Sequence, residues 1–432
     1  MGQNLFTKKT IRDIDLTGKT VLLRADYNVP VKGGKITDDY RITQSLPTVK
    51  YILEHGAKLV ICSHLGRPDG KPDKKYSLEP VAKHLSELLG QNVTFVPDCV
   101  GKAASAAVKK MQPGDVTMLE NVRFHPEEEA NDPAFAKQLA SLADVFVQDA
   151  FGVAHHGAVS VSELPKYMPS AAGLLLEKEV DTITSVMDNP KRPLMAVIGG
   201  AKIADKIDIL HRFIDIADFV AIGGAMANTF LKARGLDVGE SLYDHDELSV
   251  AKDIMHKAET AAKQRKFTCY IPQDGVVVSK LGPQAPTRIV DWSTHAVADI
   301  ENYPKRPPAG ASHVHEHEKI VDIGPFSGAF IAGAIQGVET VVWNGTMGVT
   351  ETAGLQGPVG PYAHGTDLIM EAMLGQFGRR PYSLVGGGDT VGYVESRGLV
   401  GAFAHVSTGG GASLELMAGR KLPGVEALLD KG

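Results

Sequence analysis

The first residues able to do chemistry in this sequence are polar side chains that follow short apolar runs in its first half. They begin with the stretch Arg24-Ala25-Asp26-Tyr27-Asn28-Val29-Pro30 and continue with Arg41, His64, Arg67 and Arg123. Guanidinium groups bind carboxylate and phosphate in a two-pronged geometry, so several of them near one another favour a site for a small phosphorylated acid. Each arginine alone is more often an ordinary surface residue. Their shared position after predicted strands favours the anion site.

The second half instead repeats glycine clusters after apolar runs. The clusters are Gly199-Gly200-Ala201-Lys202, Gly223-Gly224, Gly386-Gly387-Gly388-Asp389-Thr390 and Gly409-Gly410-Gly411. Such turns let backbone N–H groups approach a phosphate closely. Neither GxxxxGK[ST] nor GxGxxG occurs, so nucleotide binding has to depend on several separate turns. One glycine cluster alone could be required only for the conformation of a strand-to-helix turn, but several clusters at strand ends favour a nucleotide site.

Charged residues lie within two of these glycine clusters. Lys202 and Lys206 are four residues apart, which predicts that both lie on the first turns of one helix and share a face near its N-terminus. Asp389 follows three glycines and suits a Mg²⁺ that bridges phosphate oxygens, with a helix N-cap as the alternative role. The pattern predicts a phosphate site.

These residues need a scaffold that brings several strand ends together. In the first half, strands are predicted near residues 20–24, 58–63, 116–120 and 144–148, with helices at 43–55 and 78–89 between them. The order β-α-β predicts a largely parallel sheet. Functional side chains are then expected in the crevice at the carboxyl ends of the strands.

The second half predicts another series of the same kind. A helix is expected at 172–187 and ends at Asp188-Asn189-Pro190-Lys191-Arg192-Pro193, where we place the domain boundary. Six strands are predicted near residues 194–198, 219–222, 268–271, 340–343, 382–385 and 402–406. They make a second doubly wound sheet. Residues 302–310 and 353–361 are rich in proline or in glycine and proline, which indicates surface loops.

Composition narrows the class of protein further. A chain of 432 residues exceeds what one hydrophobic core usually serves, so two domains are expected. The net charge of −6 argues against broad binding to nucleic acid or to a membrane surface. Three scattered cysteines form no CxxC pair, and no apolar run has the length of a membrane span. A cytoplasmic protein with small-molecule partners is the expectation.

Ten ordered motifs resemble one family, phosphoglycerate kinase, nearly from end to end. They are RADYNVP at 24–30, DDYRI at 38–42, SHLGRP at 63–68, LENVRF at 119–124, DAFGVAH at 149–155, GGAKIADKI at 199–207, DIGP at 322–325, VWNGTMGVTE at 342–351, GGGDT at 386–390 and STGGGASLE at 407–415. So many motifs in one order exclude chance.

The resemblance implies a fold and a reaction. The fold is α/β, with two Rossmann-like, doubly wound parallel-sheet domains joined by a helical hinge. Residues 1–188 with the C-terminal tail 414–432 would bind the acid, and residues 189–413 would bind Mg-nucleotide. The reaction would be reversible phosphoryl transfer between 1,3-bisphosphoglycerate and ADP, giving 3-phosphoglycerate and ATP. A monomer is expected by resemblance.

The resemblance also assigns residues to two sites. The acid site would comprise Asp26, Tyr27, Asn28, Arg41, His64, Leu65, Gly66, Arg67, Arg123 and His156. The nucleotide site would comprise Gly200, Ala201, Lys202, Lys206, Gly224, Asn344, Glu351, Gly387, Gly388, Asp389 and Thr390, with Glu351 at the ribose and Asp389 at the Mg²⁺. The expected catalytic residues are Arg41, Lys202 and Lys206.

Some positions depart from the family pattern. After DAFGVAH the family usually continues Arg-Ala-His, whereas this sequence has His156-Gly157-Ala158. Thr346 stands where the family usually has proline, and Ala225 where it has a third glycine. A kinase of another small carboxylic acid and a catalytically weakened, nucleotide-binding regulatory paralogue are therefore the alternatives.

Overall fold

The computed structural model describes residues 6–292, 313–355 and 359–432, so the predicted loop at 302–310 and part of that at 353–361 lie outside the described residues. The chain forms two compact units. Unit 1 comprises the residues up to Thr184 together with Thr408–Gly432, and unit 2 comprises Ser185–Ser407.

Unit 1 is built on a six-stranded sheet in the order β5-β6-β4-β1-β7-β8, and every pair in it is parallel. Its strands are β1 (Thr20–Arg24), β4 (Lys58–Cys62), β5 (Val93–Val96), β6 (Val116–Leu119), β7 (Val145–Gln148) and β8 (Ser170–Ala172), and β2 (Val31–Lys32) pairs with β3 (Lys35–Ile36) in a separate hairpin. Its helices are α1 (Tyr40–Glu54), α2 (Glu79–Leu89), α3 (Gly101–Lys110), α4 (Pro126–Glu129), α5 (Pro133–Ala140) and the start of α6 (Leu174–Asp188).

Burial explains why these segments form a parallel sheet. All five residues of β1 are buried, as expected for a strand covered on both faces by helices. The apolar face of α2, with Val81, Ala82 and Leu85, packs into the same core as Leu23 of β1 and Ile61 of β4. The core therefore fixes where each strand ends, and with it the loops at the carboxyl edge.

Unit 2 repeats the design with a different strand order, β11-β10-β9-β15-β16-β17, again with every pair parallel. Its strands are β9 (Leu194–Ile198), β10 (Phe219–Ile222), β11 (Thr268–Tyr270), β15 (Thr340–Asn344), β16 (Tyr382–Gly386) and β17 (His405–Val406). Its helices are α7 (Ile207–Ile216), α8 (Met226–Ala233), α9 (Leu248–Gln264), α10 (Pro325–Ile335), α11 (His364–Met373) and α12 (Gly388–Ser396). The order reverses beside β9, which is where open α/β sheets bind ligands.

A second sheet in unit 2 was not predicted from the sequence. Its strands β12 (Asp274–Val278), β13 (Arg288–Asp291) and β14 (Lys319–Ile323) are antiparallel in the order β13-β12-β14. The fold class is otherwise confirmed, since both parallel sheets are present and all ten predicted strands form. The short outer strands β5 and β8 were missed.

Residues 408–432 complete unit 1. Their helices are α13 (Gly410–Met417) and α14 (Pro423–Glu426). Thr408 donates from its N–H and hydroxyl to Glu179 Oε1 at 2.6 and 2.7 Å, and Lys8 Nζ lies 2.8 Å from Asp430 Oδ1. Across the described ranges, every helix is too short or too polar to cross a bilayer.

Candidate active site

In unit 1 the loops after β1 and β4 meet at the carboxyl edge of the sheet around Asp26. Arg41 Nη1, from the first turn of α1, lies 3.3 Å from both carboxylate oxygens of Asp26 and 3.2 Å from the carbonyl of Asn28. Burial opposes the charge of Asp26, but Arg41, Arg24 and the N–H of Asn28 favour it, and the pKa of Asp26 is lowered. A buried carboxylate therefore orients Arg41.

The loop after β4 is tied to the same place. Asn28 Oδ1 accepts from the Gly66 N–H at 2.9 Å, and Arg123 Nη1 donates to the Gly66 carbonyl at 3.1 Å. Arg123 comes from the short 3₁₀ turn Val122–Phe124 after β6, whose start is capped by Asn121. Arg67 is exposed beside them. Asn28 thus links the Gly66 loop, which Arg123 contacts, to the carbonyl group that Arg41 contacts.

Two predicted acid-site residues contribute no side chain to this crevice. Tyr27 and Leu65 are buried in the hydrophobic core of unit 1. The Tyr27 hydroxyl pairs with Ser45 Oγ at 2.8 Å, and burial raises its pKa. Only the backbone of these residues is left for a ligand.

His156 lies close enough to Arg123, Glu415 and Glu129 for their charges to act on it, and its ring packs against that of His155 at 4.0 Å. Burial, His155 and Arg123 lower the pKa of His156, against the opposing effect of the two glutamates. His155, which sequence reasoning did not select, buries its Nδ1 without a partner among the described residues. Adjacent histidines in DAFGVAHH are the signal that could have found it.

In unit 2 a cavity of about 220 Å³ opens beside β9. Of the predicted residues it is lined by Gly200, Ala201, Gly224, Glu351 and Asp389. Its remaining lining is mostly apolar, and it includes Leu231, Pro272, Trp292, Met347 and Val349, none of which sequence reasoning selected. Apolar walls with a few polar groups are typical of ligand cavities.

Lys206 packs against Gly200, one of the residues that line this cavity. Its Nζ donates to Asn344 Oδ1 at 2.5 Å and to the Asn344 carbonyl at 3.2 Å, and the side chain is buried against Gly200. Burial lowers the pKa of Lys206 to about 8, while Asp389 and Asp205 act in the opposite direction. The buried ammonium group is mostly charged at neutral pH, and among the described residues its hydrogen-bond acceptors are the two neutral oxygens of Asn344.

The prediction that both lysines share the first turns of one helix is wrong. Lys202 is exposed in irregular backbone, the segment Ala204–Lys206 is a separate 3₁₀ turn, and α7 begins only after Lys206. The tight turn rotates Lys206 into the interior while Lys202 stays at the surface. The two ammonium groups therefore differ in burial, which their spacing could not show.

The loop after β16 supplies the other phosphate-binding candidates. Gly387 is the N-cap residue of α12, so Asp389 in the first turn is not the N-cap that was its alternative role. Gly387 has a φ of +93°, and a Cβ there would lie 3.0 Å from the Asn344 side chain. Thr390 Oγ1 accepts from the Gly345 N–H at 2.6 Å. The exposed N–H of Gly388 and the Asp389 carboxylate remain at the start of the helix.

The division between an arginine-rich crevice and a glycine-lined cavity places this chain in the class of phosphotransferases that use a nucleotide and a small anionic substrate. A model of the phosphoglycerate kinase family matches residues 11–420. Phosphoglycerate kinase of Moorella thermoacetica is 44% identical over 98% of this chain and all of its own length, and that of Chloroflexus aurantiacus is 47% identical over 98% and 99%. The chain belongs to the phosphoglycerate kinase family.

Solved structures agree with this assignment. Phosphoglycerate kinase from Coxiella burnetii superposes with a TM-score of 0.79 at 35% identity, covering 97% of this chain and 98% of that one. The enzyme from Pyrococcus horikoshii superposes with a TM-score of 0.78 at 30% identity over the same shares. The expected family and enzyme class are confirmed.

Proposed function

We propose that the chain transfers a phosphoryl group reversibly between 1,3-bisphosphoglycerate and ADP, giving 3-phosphoglycerate and ATP, and that each unit binds one of the two substrates. The observation that carries this division is the buried ammonium group of Lys206, which packs against Gly200 beside the cavity of unit 2. Within the described residues no carboxylate forms a hydrogen bond with this ammonium group. Such a desolvated cation is stabilised when a phosphate arrives.

Unit 1 is proposed to bind the acid. Arg41, Arg67 and Arg123 would meet its carboxylate and phosphate groups, as planar guanidinium groups do. Asp26 and Asn28 would hold Arg41 and the Gly66 loop in place, since both already accept hydrogen bonds from them. His64 and His156 would complete the site, with the backbone of Tyr27, Leu65 and Gly66 between them.

Unit 2 is proposed to bind the nucleotide. The apolar lining of the cavity suits the base, and Glu351 at its edge suits the ribose hydroxyls. Gly387, Gly388 and Thr390 would bring backbone N–H groups at the start of α12 to the phosphates, and Lys202 and Lys206 would add positive charge. Gly200, Ala201, Gly224 and Asn344 shape the same region.

Asp389 is the residue that would hold Mg²⁺ together with the nucleotide phosphates. Its carboxylate is exposed, and no hydrogen bond of its side chain is found in the parts of the chain that the structure describes. Mg²⁺ usually takes one or two carboxylates, several waters and substrate phosphates, so a single available carboxylate fits it. The ion supplies charge neutralisation of the phosphate oxygens when bound.

The proposed chemistry needs little from the protein besides charge and alignment. The acid's carboxylate is ionised at neutral pH, so no general base is required. Arg41, Lys202 and Lys206 would stabilise the negative charge on the equatorial oxygens of the migrating phosphoryl group. Lys206 is suited to this role because its ammonium group is already desolvated and oriented by Asn344.

Since each unit by itself carries only one of the two sets of residues, we propose that the segment 187–193 acts as a hinge whose closure excludes water and protects the acyl phosphate. A cytoplasmic monomer with no nucleic-acid or membrane partner is part of the same proposal. Small-angle scattering with neither, one or both substrates tests the hinge, because closure predicts a smaller radius of gyration only when both are present. An unchanged radius with both substrates contradicts it.

A coupled assay tests the substrate. Purified protein with MgATP and 3-phosphoglycerate is expected to form ADP far faster than with a panel of other small carboxylic acids. A preference for another acid would establish the first alternative. No ADP with any acid, together with measurable ATP binding, would establish the regulatory paralogue.

A further inference from the structure

Arg24, the last residue of β1, lies beneath the acid crevice without being part of it. Its Nη2 lies 3.2 Å from Nδ1 of His64, and both side chains are buried. A guanidinium group has five N–H donors and no acceptor. Nδ1 of His64 must therefore be the acceptor, so it carries no proton.

The orientation of this guanidinium group is fixed on its other sides. Nε donates to Ser160 Oγ at 2.7 Å and Nη1 donates to the Ala25 carbonyl at 2.5 Å. Ser160 in turn donates to both carboxylate oxygens of Glu128, from its hydroxyl at 2.5 Å and its N–H at 3.0 Å. Arg24 has only 1% of its surface exposed, so no water competes for its donors.

We propose that Arg24 is a positioning residue that fixes His64 as a neutral imidazole with its proton on Nε2, so that His64 presents an N–H donor to the bound acid. The proposal rests on the acid site described above. Within the described residues, Nε2 of His64 makes no hydrogen bond, which leaves it for a ligand. The opposite tautomer would place an N–H against the Arg24 donor and a lone pair toward the anion.

The charged groups around the His64 ring also favour its neutral form. Burial, Arg24, Arg123 and Arg41 lower the pKa of His64 well below its usual value, against the opposing effect of Asp26. In the tautomer that Arg24 fixes, the neutral imidazole of His64 donates one hydrogen bond from Nε2. His64 is thus a fixed donor, and binding at this position takes up no proton.

The tautomer can be read directly in the unaltered protein. Long-range ¹H–¹⁵N correlation spectra of ¹⁵N-histidine-labelled protein, with His64→Gln used only to assign the signal, are expected to show Nε2 protonated and Nδ1 unprotonated across pH 6 to 8. A proton on Nδ1, or a ring that becomes doubly protonated in this range, overturns the proposal. This measurement needs no Arg24 variant, so it decides even if such a variant does not fold.

A double-mutant cycle tests whether Arg24 acts through His64. Arg24→Met is expected to raise KM for 3-phosphoglycerate about tenfold to a hundredfold, the range of a charge-assisted hydrogen-bond network. In a His64→Ala background the same change is expected to raise KM less than about twofold, because the group that Arg24 positions is gone. Additive effects would show that Arg24 acts only by its charge or by packing, and would overturn the proposal.

Two further readouts separate this inference from the proposed function. The affinity of unit 2 for ADP and the circular dichroism spectrum are expected to stay unchanged in Arg24→Met, which supports a local effect. If His64→Ala alone leaves KM unchanged while the proton is on Nε2, the assignment of His64 to the acid site fails although the tautomer is correct.

Discussion

The two units present different chemical groups at the sites proposed to bind anions. In unit 1 the crevice consists of side chains that hold one another, as where Asp26 orients Arg41 and Asn28 holds Gly66. In unit 2 the corresponding edge consists of backbone turns and one buried ammonium group, as where Gly387 starts α12 beside Asn344 and Lys206. A side-chain site can be weakened one charge at a time, whereas a backbone site depends on the shape of its turns. Substitutions in each unit test whether this difference between the two sites is real.

The largest effect is expected from removing the buried cation of unit 2. Lys206→Met should lower kcat by roughly a hundredfold to a thousandfold and change the affinity for ADP only a few-fold, because the charge acts mainly on the transferring group. Steady-state kinetics with ADP titrations check this. Lys257→Met is the matched control, since Lys257 pairs with Asp215 on the outside of the same unit. A loss confined to ADP affinity would contradict the catalytic role.

The next effect tests whether unit 2 binds through its backbone. Gly387→Ala should weaken ADP binding roughly tenfold or more, because a φ of +93° costs an alanine about 1–3 kcal/mol and its Cβ would press on Asn344. Gly392→Ala, the matched control further along α12, should have little effect, since nothing lies within 4 Å of its Cβ position, no positive φ is required and it is not among the residues proposed to bind the nucleotide. Isothermal titration calorimetry with ADP measures both. Equal losses would refute a backbone-shaped site.

A pair of substitutions of exposed cationic residues tests whether unit 1 binds the acid and unit 2 the nucleotide. Arg67→Ala should raise KM for the acid about tenfold and leave ADP affinity unchanged, as expected for one lost charged hydrogen bond. Lys202→Ala should lower kcat far more than nucleotide affinity. Both side chains are exposed, so neither change should alter folding. Equal kinetic signatures would mean that the units do not divide the substrates as proposed.

The smallest effect is expected from pH at His156. Its pKa is lowered by burial and by the neighbouring His155 and Arg123, so the ring is charged only in acid solution and neutral above about pH 6.5. Affinity for the acid should therefore be highest at low pH and fall as pH rises through that pKa, with proton uptake on binding. His156→Arg should lower KM at pH 8 about threefold to tenfold and flatten the profile.

The control for this prediction is His55→Gln, which removes an imidazole stacked on Tyr51 at the end of α1. It should leave the pH profile unchanged. The same profile for His156→Gln as for the unaltered protein would assign the titration to another group.

Much of the fold follows from the sequence because most of the predicted strands are buried apolar runs between helical segments, the edge strand β11 being an exception. The antiparallel sheet β12-β13-β14 was missed because long connections join its strands, so no tight-turn signal marks them. The expectation that Lys202 and Lys206 share one helix failed because spacing does not reveal a 3₁₀ turn.

For the candidate sites, the sequence predicts which residue types are present better than it predicts where their side chains point. For motif residues such as Arg41 and Asp389, the charge of the side chain alone indicates which ligand it could bind. Tyr27 and Leu65 belong to the same motifs, but a linear pattern does not tell whether a side chain faces the crevice or the core. Arg24 opens the first motif, yet its contact with His64 joins residues 40 positions apart and needs a folded chain to be seen.

The return of residues 408–432 to unit 1 affects the order in which the molecule can fold. Glu179 accepts a hydrogen bond from Thr408, and the carbonyl of Leu429 accepts one from the Lys9 N–H at 2.7 Å. During synthesis, unit 2 has all of its residues outside the ribosome before unit 1 does, although unit 1 starts first. The N-terminal part of unit 1 can therefore complete its fold only after residues 408–432, which are translated after unit 2, and this departs from the usual N-terminal-first order of folding.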